Sequence, residues 1–504
     1  MKIPLLLFLL IGSCQLFADG LKPAEASRPN VLFIMTDDLN CNLGCYGHPL
    51  VKTPNIDKLA SQGLQFNGAF CNYPLCGPSR ASFMTGLYPH QNGVTRLRRL
   101  FRNYVPDAVT LAQHFMTSGY SVARVGKIYH YDNPNGIGTN GHDDAASWQV
   151  RINPRGVDKD LEDQIFSLRK GSFGGTLSWL AADAPGEEHT DGLVATESLR
   201  LMNKYAASGQ PFFLAVGFYK PHTPYVAPKE YFDMYDLSEI VVPKIPPGYW
   251  DTLPPLARAS MAHYKDQLNL SDDLARQAIR AYYATISFAD AQVGRVLDGL
   301  EALGLKDNTI VLFSSDHGYH MGEHGHYQKR TLFEDSDRVP LIISAPGMKA
   351  VGQSTESLVE MIDFYRTLSA LTGLPEPPDY VMGKNLGPLL DDPSIKVRDS
   401  AVTELETGFT VRTARYRFTR WIDGEMELYD RSVDPAEMVN LAGKADSAPL
   451  IASLIPVLEE RIAEATATRD GLSFTAPKKD DNGISMENLL KQEAQAFTEH
   501  QLEE

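Results

Sequence analysis

The sequence predicts an α/β fold, with a large, mostly parallel sheet between layers of helices and a small C-terminal subdomain that contains an antiparallel sheet. Two observations predict it. Continuous apolar runs alternate with segments of helical periodicity over the first two thirds of the chain, as is typical of parallel strands buried on both faces. After a Gly- and Pro-rich joint at 373–393, short β-prone runs follow one another directly.

Four of the apolar runs end in charged or imidazole side chains. The runs are 30–36, 121–125, 212–218 and 309–315. The polar groups that follow them are Asp37 and Asp38, Lys127 and His130, Lys220 and His222, and Asp316 and His317. Open α/β sheets bind ligands at the carboxyl ends of their strands. We therefore expect these groups to form one site along that edge of the sheet.

Two long helices are predicted between these strands. Ser271, followed by Asp272 and Asp273, is a favourable N-cap with acids in the first turn, and apolar residues then recur on one stripe from 279 to 300. A second amphipathic segment covers 191–207. In the C-terminal part we expect short strands at 401–403, 408–412 and 416–422, followed by a helix at 448–465.

These elements divide the chain into a catalytic domain at 28–392, a C-terminal subdomain at 393–468 and a polar tail at 469–504. No apolar run after the N-terminus is long enough for a transmembrane segment.

The first 18 residues predict an export signal, which would make the protein periplasmic or secreted. A positive start precedes an apolar run at 3–11 that is too short to span a bilayer, and small residues follow near a cleavage site. Residues 11–14 also form a loose lipobox. Lipid anchoring through Cys14 is therefore an alternative to cleavage after Ala18.

Composition excludes some classes of function. The net charge is −16 at pH 7, and a field of that sign repels nucleic acid, so we expect no nucleic-acid partner. An anionic substrate would need a local basic patch. The chain has five cysteines, an odd number. Removal of Cys14 with the export signal and modification of Cys76, discussed below, would leave Cys41, Cys45 and Cys71, so the cysteines do not predict a disulfide framework.

The acids at two strand ends predict a metal site. Asp37, Asp38 and Asp316 offer hard carboxylate oxygens, which suit Ca²⁺ or Mg²⁺. His317 is adjacent and is a further candidate ligand. Because imidazole is a less typical ligand of Ca²⁺ than an oxygen donor, Mg²⁺ remains an alternative to Ca²⁺ at this site.

The segment from Cys76 to Arg80 (CGPSR), continuing as ASFMTG to Gly86, resembles the maturation signature of the type I sulfatases. The resemblance implies an alkaline-phosphatase-like sandwich and hydrolysis of sulfate esters. It also implies that a formylglycine-generating maturation enzyme oxidises Cys76 to formylglycine, whose hydrated aldehyde is the nucleophile and a further metal ligand. Pro78 favours a helix start at this point, and Arg80 would face the same way as Cys76 one turn later.

The same resemblance assigns roles to the remaining polar groups. Lys127, Lys220 and Lys329 would grip sulfate oxygens. His130 would accept the proton of the hydroxyl that is deprotonated when sulfate is expelled. His222, helped by Lys329, would bind substrate and protonate the leaving alcohol.

Within the family, four segments resemble the iduronate-2-sulfatase group: 43–47, 126–130, 215–224 and 315–325. This implies a sulfated oligo- or polysaccharide substrate, with the sulfate at O2 of a uronic acid. The basic run at 96–102 contains four arginines, of which Arg98 is the candidate partner for a uronate carboxylate or a second sulfate. A solvated basic helix face is the alternative for this run.

Two other functions remain open at this point. The same superfamily includes phosphodiester and phosphonate hydrolases, although a phosphatase of that group would show a Ser or Thr nucleophile and more zinc-type ligands. A non-catalytic protein that binds sulfated glycans is the second alternative, but such a protein would not need Cys76.

Overall fold

A computed structural model describes residues 28–262 and 265–475 of the chain. The predicted export signal, Cys14 and the tail from 476 onward lie outside these residues. The strands are β1 (Asn30–Asp37), β2 (Leu64–Phe66), β3 (Ala69–Phe70), β4 (Ser121–Gly126), β5 (Val150–Ile152), β6 (Phe166–Ser167), β7 (Ser178–Ala182), β8 (Phe212–Pro221), β9 (Tyr225–Pro228), β10 (Thr309–Ser315), β11 (His320–Met321), β12 (Tyr327–Gln328), β13 (Leu341–Ser344), β14 (Gln353–Thr355), β15 (Val359–Glu360), β16 (Ser400–Leu405), β17 (Gly408–Thr413), β18 (Tyr416–Trp421) and β19 (Met426–Asp430).

The helices are α1 (Pro54–Gln62), α2 (Cys76–Thr85), α3 (Pro89–Asn92), α4 (Leu111–Thr117), α5 (Val157–Asp160), α6 (Thr190–Ser208), α7 (Lys229–Asp233), α8 (Pro255–Met261), α9 (Asp272–Ala302), α10 (Glu334–Asp337), α11 (Asp363–Leu371) and α12 (Ala448–Thr466). None of the helices in the described ranges is long and apolar enough to cross a membrane.

An eight-stranded sheet forms the centre of the fold, in the order β14-β2-β13-β10-β1-β8-β4-β5. The strands from β10 to β5 run parallel, and β13 is antiparallel to both of its neighbours. The predicted α/β fold with a large sheet between helices is confirmed. The four runs predicted to carry the site are β1, β4, β8 and β10, which lie side by side, so their carboxyl ends meet at one edge.

The apolar character of β1 follows from burial on both faces. Val31, Phe33 and Met35 pack into one hydrophobic cluster, and Leu32 and Ile34 pack into another on the opposite face. All five side chains are fully buried. Because both faces of β1 are buried, no position along the strand favours a polar side chain. The strand therefore appears in the sequence as an unbroken apolar run.

The two predicted long helices correspond to α6 and α9, which pack against each other. Ser271 caps α9, since its hydroxyl accepts a hydrogen bond from Leu274 N at 3.4 Å. Asp290, in the buried face of α9, accepts bonds from the backbone N–H groups of Asn55 and Ile56 at the start of α1. Helix α9 therefore ties α1 to the layer that covers one face of the sheet.

The C-terminal part forms a four-stranded antiparallel sheet, β16-β17-β18-β19, against which α12 packs. The predicted small antiparallel sheet is thus confirmed, and the exact division of the chain at residue 392 stays a proposal. Arg417 on β18 is fully buried and donates to Asp337 Oδ2 and Glu437 Oε1, both at 2.7 Å. These ion pairs join the small sheet to α10 of the larger part.

We expect Arg417→Met to destabilise the protein strongly, because it leaves Asp337 buried without its cation and leaves Glu437 with Arg431 alone. Removing one partner of a buried ion pair costs about 3–5 kcal/mol. Urea unfolding measures the loss. Arg420→Met is the matched control on the same strand, since Arg420 and Glu459 have exposed fractions of 33% and 57%, and exposed pairs contribute about 0–1 kcal/mol. Equal losses in the two variants would contradict the prediction.

Candidate active site

Three carboxylates meet where β1 and β10 end. Asp37 is the last residue of β1, Asp38 follows it, and Asp316 follows β10. Asp38 has a φ of 67°, a left-handed conformation that Asp tolerates better than most residues, and this turn brings its side chain back to the sheet edge. One oxygen of each carboxylate lies within 4.8 Å of the others, and all three side chains are buried.

Cys76 is the first residue of α2 and lies beside the carboxylates. Its Sγ is 3.3 Å from His317 Nε2, 3.4 Å from Lys329 Nζ and 3.8 Å from Asp38 Oδ1. No side chain caps the N-terminus of the helix. Pro78, expected at the first helical position, occupies the third instead, which is still within the first turn, where a missing N–H breaks no helical bond.

Arg80 connects the strand ends from within the protein. Its guanidinium is fully buried and donates to Asp316 Oδ2 at 2.9 Å and to Asp37 Oδ1 at 3.1 Å. It also donates to the backbone carbonyls of Thr36, Lys127 and Ile128. Arg80 therefore holds the carboxylates of the candidate metal site and the segment that follows β4.

The predicted lysines divide into two groups. Lys127 pairs with Asp37 and Lys329 pairs with Asp38, so both amines lie in the carboxylate cluster. Lys220 does not reach it. Its amine donates to the Pro224 carbonyl at 2.8 Å, and in this structure it braces the turn that follows β8.

The predicted histidines lie around the same cluster. His222 Nδ1 donates to its neighbour's carbonyl at Thr223 (2.5 Å), and its Nε2 is 3.7 Å from Asp38 Oδ2. His317 Nδ1 is 2.8 Å from Gly318 O, which directs Nε2 toward Cys76 and Asp38. His130 lies further along the edge and contacts Asp132. Asp132 belongs to none of the motifs above, and its place two residues after His130 is the one sequence signal that marks it.

Burial and charge set different protonation tendencies on the adjacent acids. Burial raises the pKa of Asp38 to about 7, with Lys329 opposing the shift. Burial would also raise the pKa of Asp37, but the charges of Lys127 and Arg80 contribute to holding it well below its ordinary value. Asp37 is therefore more readily ionised than Asp38, and a bound cation would favour the ionised form of Asp38.

Burial raises the pKa of the Cys76 thiol well above its ordinary value, against the opposing charge of Lys329. Thiols react as thiolates. An unmodified Cys76 would be a poor nucleophile here, which agrees with a cysteine that is converted into another group.

The donor set fits a hard divalent cation. Three buried carboxylates lie together, and Asp38 Oδ2 has no hydrogen-bond partner among the described residues. His317 Nε2 is 3.3 Å from Asp38 Oδ1, and two facing acceptors need a cation or a proton between them. Carboxylate oxygens suit Ca²⁺ and Mg²⁺. Asp37, Asp38 and Asp316 would hold the ion, with His317 and residue 76 as candidate further ligands.

Adding Ca²⁺ is expected to raise the melting temperature, and chelation to lower it, because the ion offsets the repulsion among the buried carboxylates. A ligand at 100 times its Kd adds about 2.7 kcal/mol of stability. Differential scanning fluorimetry with CaCl₂, MgCl₂ or EDTA measures the shift. Asp316→Asn is the control, since removing one ligand should largely remove the Ca²⁺-dependent shift. Superimposable melting curves of the unaltered protein with and without divalent ions would argue against the site.

A pocket of about 450 Å³ opens above the cluster and is lined by Cys76, His130, His222, Lys329 and Arg98 among others. Its size lies within the range typical of small-ligand sites. Of the four arginines at 96–102, only Arg98 lines it. Arg96 pairs with Glu406 and Arg102 with Asp144, so two of the four arginines are used in structural ion pairs outside the pocket.

Comparisons with known proteins agree with this geometry. The family model described as "Sulfatase" matches residues 29–374, and the model described as "N-sulphoglucosamine sulphohydrolase, C-terminal" matches 322–464. Iduronate 2-sulfatase of Mus musculus is 34% identical over 414 residues, which cover 73% of this chain and 74% of that protein.

Two further matches span more of the chain. A sulfatase of Formosa agariphila is 32% identical over 485 residues, covering 92% of this chain and 93% of that protein. The crystal structure of the phosphonate monoester hydrolase of Agrobacterium radiobacter superposes with a TM-score of 0.75 at 24% identity, covering 89% of this chain and 100% of that one. At that identity the last match shows the fold alone.

Proposed function

Because the chain belongs to the sulfatase family of sulfuric ester hydrolases, we propose that it removes sulfate from a sulfated glycan, at O2 of a uronic acid. The mouse relative named iduronate 2-sulfatase supports this choice of sugar. The observation that carries the proposal is the cluster on the floor of the pocket, where Cys76 lies among three carboxylates, Lys329 and His222. We further propose that the protein is exported, in keeping with its N-terminal sequence.

The proposal includes conversion of Cys76 to formylglycine by a maturation enzyme of the host. The hydrated aldehyde supplies an oxygen nucleophile, and a bound Ca²⁺ supplies a positive charge that lowers the pKa of a coordinated hydroxyl. The buried, protonated thiol described above supports this conversion, because the unmodified side chain has little nucleophilic character.

The chain's own cations would bind the sulfate group. Lys127 and Lys329 pair with Asp37 and Asp38 in this structure. With a divalent ion held by Asp37 and Asp38, both amines would be available to bind sulfate oxygens. Arg80 would stay in place, because its five N–H groups are shared among two carboxylates and three backbone carbonyls, and it would keep the acids at the strand ends correctly placed.

Two histidines would move protons. His222 Nδ1 donates to the Thr223 carbonyl, so the ring would have to enter the reaction as an imidazolium, whose Nε2–H would then protonate the ester oxygen of the leaving alcohol. An alkoxide is a poor leaving group, which makes this proton transfer a large part of the barrier reduction. His130, which also lines the pocket, would accept the proton of the remaining hydroxyl of the hydrated aldehyde when sulfate is expelled and the aldehyde re-forms.

Sulfate release from a panel of disaccharides tests the proposal, using protein co-expressed with a formylglycine-generating enzyme and the aldehyde verified by mass spectrometry. The panel sets 2-O-sulfated uronates against 6-O-sulfated hexosamines and sulfated deoxy-hexoses. Release from the 2-O-sulfated uronates alone supports the proposal, and release from another sugar only would overturn the position. An alkyl phosphonate monoester is included because of the fold shared with phosphonate monoester hydrolase, and preference for it would overturn the ester class.

A further inference from the structure

Asp132 lies between His130 and Arg98 at the wall of the pocket. Its Oδ1 is 3.3 Å from His130 Nε2, and its Oδ2 accepts a hydrogen bond from Arg98 Nη2 at 3.2 Å. All three side chains line the pocket that contains Cys76. The two oxygens of one carboxylate are thus divided between a buried imidazole and a guanidinium at the mouth.

The pair of Asp132 and Arg98 contributes little to stability. The exposed fractions of the two side chains are 38% and 66%, and exposed ion pairs are worth about 0–1 kcal/mol. The contact with His130 is different, because that ring is buried. Asp132 is its hydrogen-bond partner on the Nε2 side, and Nδ1 has no partner among the residues that the structure describes.

Burial of His130 favours a neutral ring. Burial lowers the pKa of His130 to about 4, with the hydrogen bond to Asp132 opposing the shift and Lys127 adding to it. Asp37 and the ring of His142, whose centroid is 6.1 Å away, are the other titratable neighbours. A neutral imidazole carries one proton, and a carboxylate accepts but does not donate, so the nitrogen that faces Asp132 is the protonated one.

We propose that Asp132 is a positioning residue that holds His130 as the Nε2–H tautomer, so that Nδ1 is the nitrogen that accepts the proton during turnover. The catalytic part of this inference rests on the proposed function. Arg98 holds the second oxygen of Asp132 and so fixes the orientation of the carboxylate. The relation is that of a carboxylate that orients a catalytic histidine, built here from two residues separated by one position in the chain.

The tautomer is measured directly by ¹⁵N NMR of the full-length protein labelled with [¹⁵N]histidine, before maturation of Cys76, with His130→Gln identifying the resonances. We expect an unprotonated Nδ1 and a protonated Nε2 for His130. In Asp132→Asn the two tautomers should become mixed. Asp160→Asn is the matched control, since Asp160 pairs with Arg155 in an ion pair of similar exposure outside the pocket, and it should give the unaltered spectrum.

Kinetics of the matured enzyme provide a second test of the role of Asp132. Loss of the carboxylate that orients a catalytic histidine lowers kcat by up to about 10⁴-fold. For the partly exposed Asp132 we expect kcat to fall at least about tenfold in Asp132→Asn with little change in KM, and Asp132→Glu to recover part of it.

A protonated Nδ1 in the unaltered protein, or a spectrum unchanged by Asp132→Asn, would overturn the inference. A change confined to KM would also overturn it, because Asp132 would then act in binding. The two proposals fail separately. If the unaltered enzyme releases no sulfate from any disaccharide, the proposed function fails, whereas the NMR result still decides whether Asp132 sets the tautomer.

Discussion

Replacing Cys76 with alanine is expected to abolish sulfate release, by about 10⁴-fold or more, while the fold is retained. The size of the loss follows from removing the group from which the nucleophile is made. The side chain is buried, with its Sγ within 3.4 Å of His317 Nε2 and Lys329 Nζ. Lys329 keeps its partner Asp38 when the sulfur is absent, so its buried charge is not left alone.

Turnover of the disaccharide substrate and the melting temperature together measure this prediction. Cys45→Ala is the matched control, because Cys45 is a free cysteine that is only half-buried and lies outside the pocket. It should retain activity. Substantial hydrolysis by Cys76→Ala protein would exclude a nucleophile derived from this residue, and a collapsed melting transition would show that the sulfur is structural instead.

Replacing His222 with alanine is expected to slow alkyl sulfates by about 10²–10⁴-fold, the range attributed to general acid catalysis. An aryl sulfate should lose far less, because its phenolate leaves without needing a proton. The geometry gives the reason, since Nδ1 is engaged by Thr223 and only Nε2 can reach the substrate. The ratio of kcat/KM for the two esters is the quantity to measure.

His222→Gln separates the chemistry from packing, because it keeps a polar side chain of similar reach but cannot act as an acid. It should reproduce the selective loss on the alkyl ester. Equal losses on the alkyl and aryl esters in both variants would remove the general-acid assignment and leave His222 as a binding residue.

Much of the framework could be predicted from the chain itself. Strand β1 was identifiable because its two buried faces leave an unbroken apolar run, and the same holds for β8 and β10. Parallel topology then places their carboxyl ends at one edge. The convergence of Asp37 and Asp316, which lie far apart in the sequence, follows from that local signal and the topology.

The direction of individual side chains could not be predicted in the same way. Arg80 was placed correctly at the start of α2, yet its guanidinium turns into the strand ends and binds backbone carbonyls that no motif reports. Lys220 lies near the carboxyl end of β8, but its amine donates to Pro224 O instead of reaching the carboxylate cluster. Both side chains are long and flexible, so their direction depends on which acceptors the folded structure places within their reach.

The sequence by itself therefore determined the fold class, the edge of the sheet where the site lies, and the residue types that converge there. These depend on periodicity and on the order of strands, which are local properties of the chain. Only the tertiary structure decided that Lys127 and Lys329 enter the cluster while Lys220 stays outside, and that Asp132 bridges His130 and Arg98. Some of those contacts join distant segments and others join near neighbours, but the direction of each side chain is set by packing that no single stretch of sequence contains.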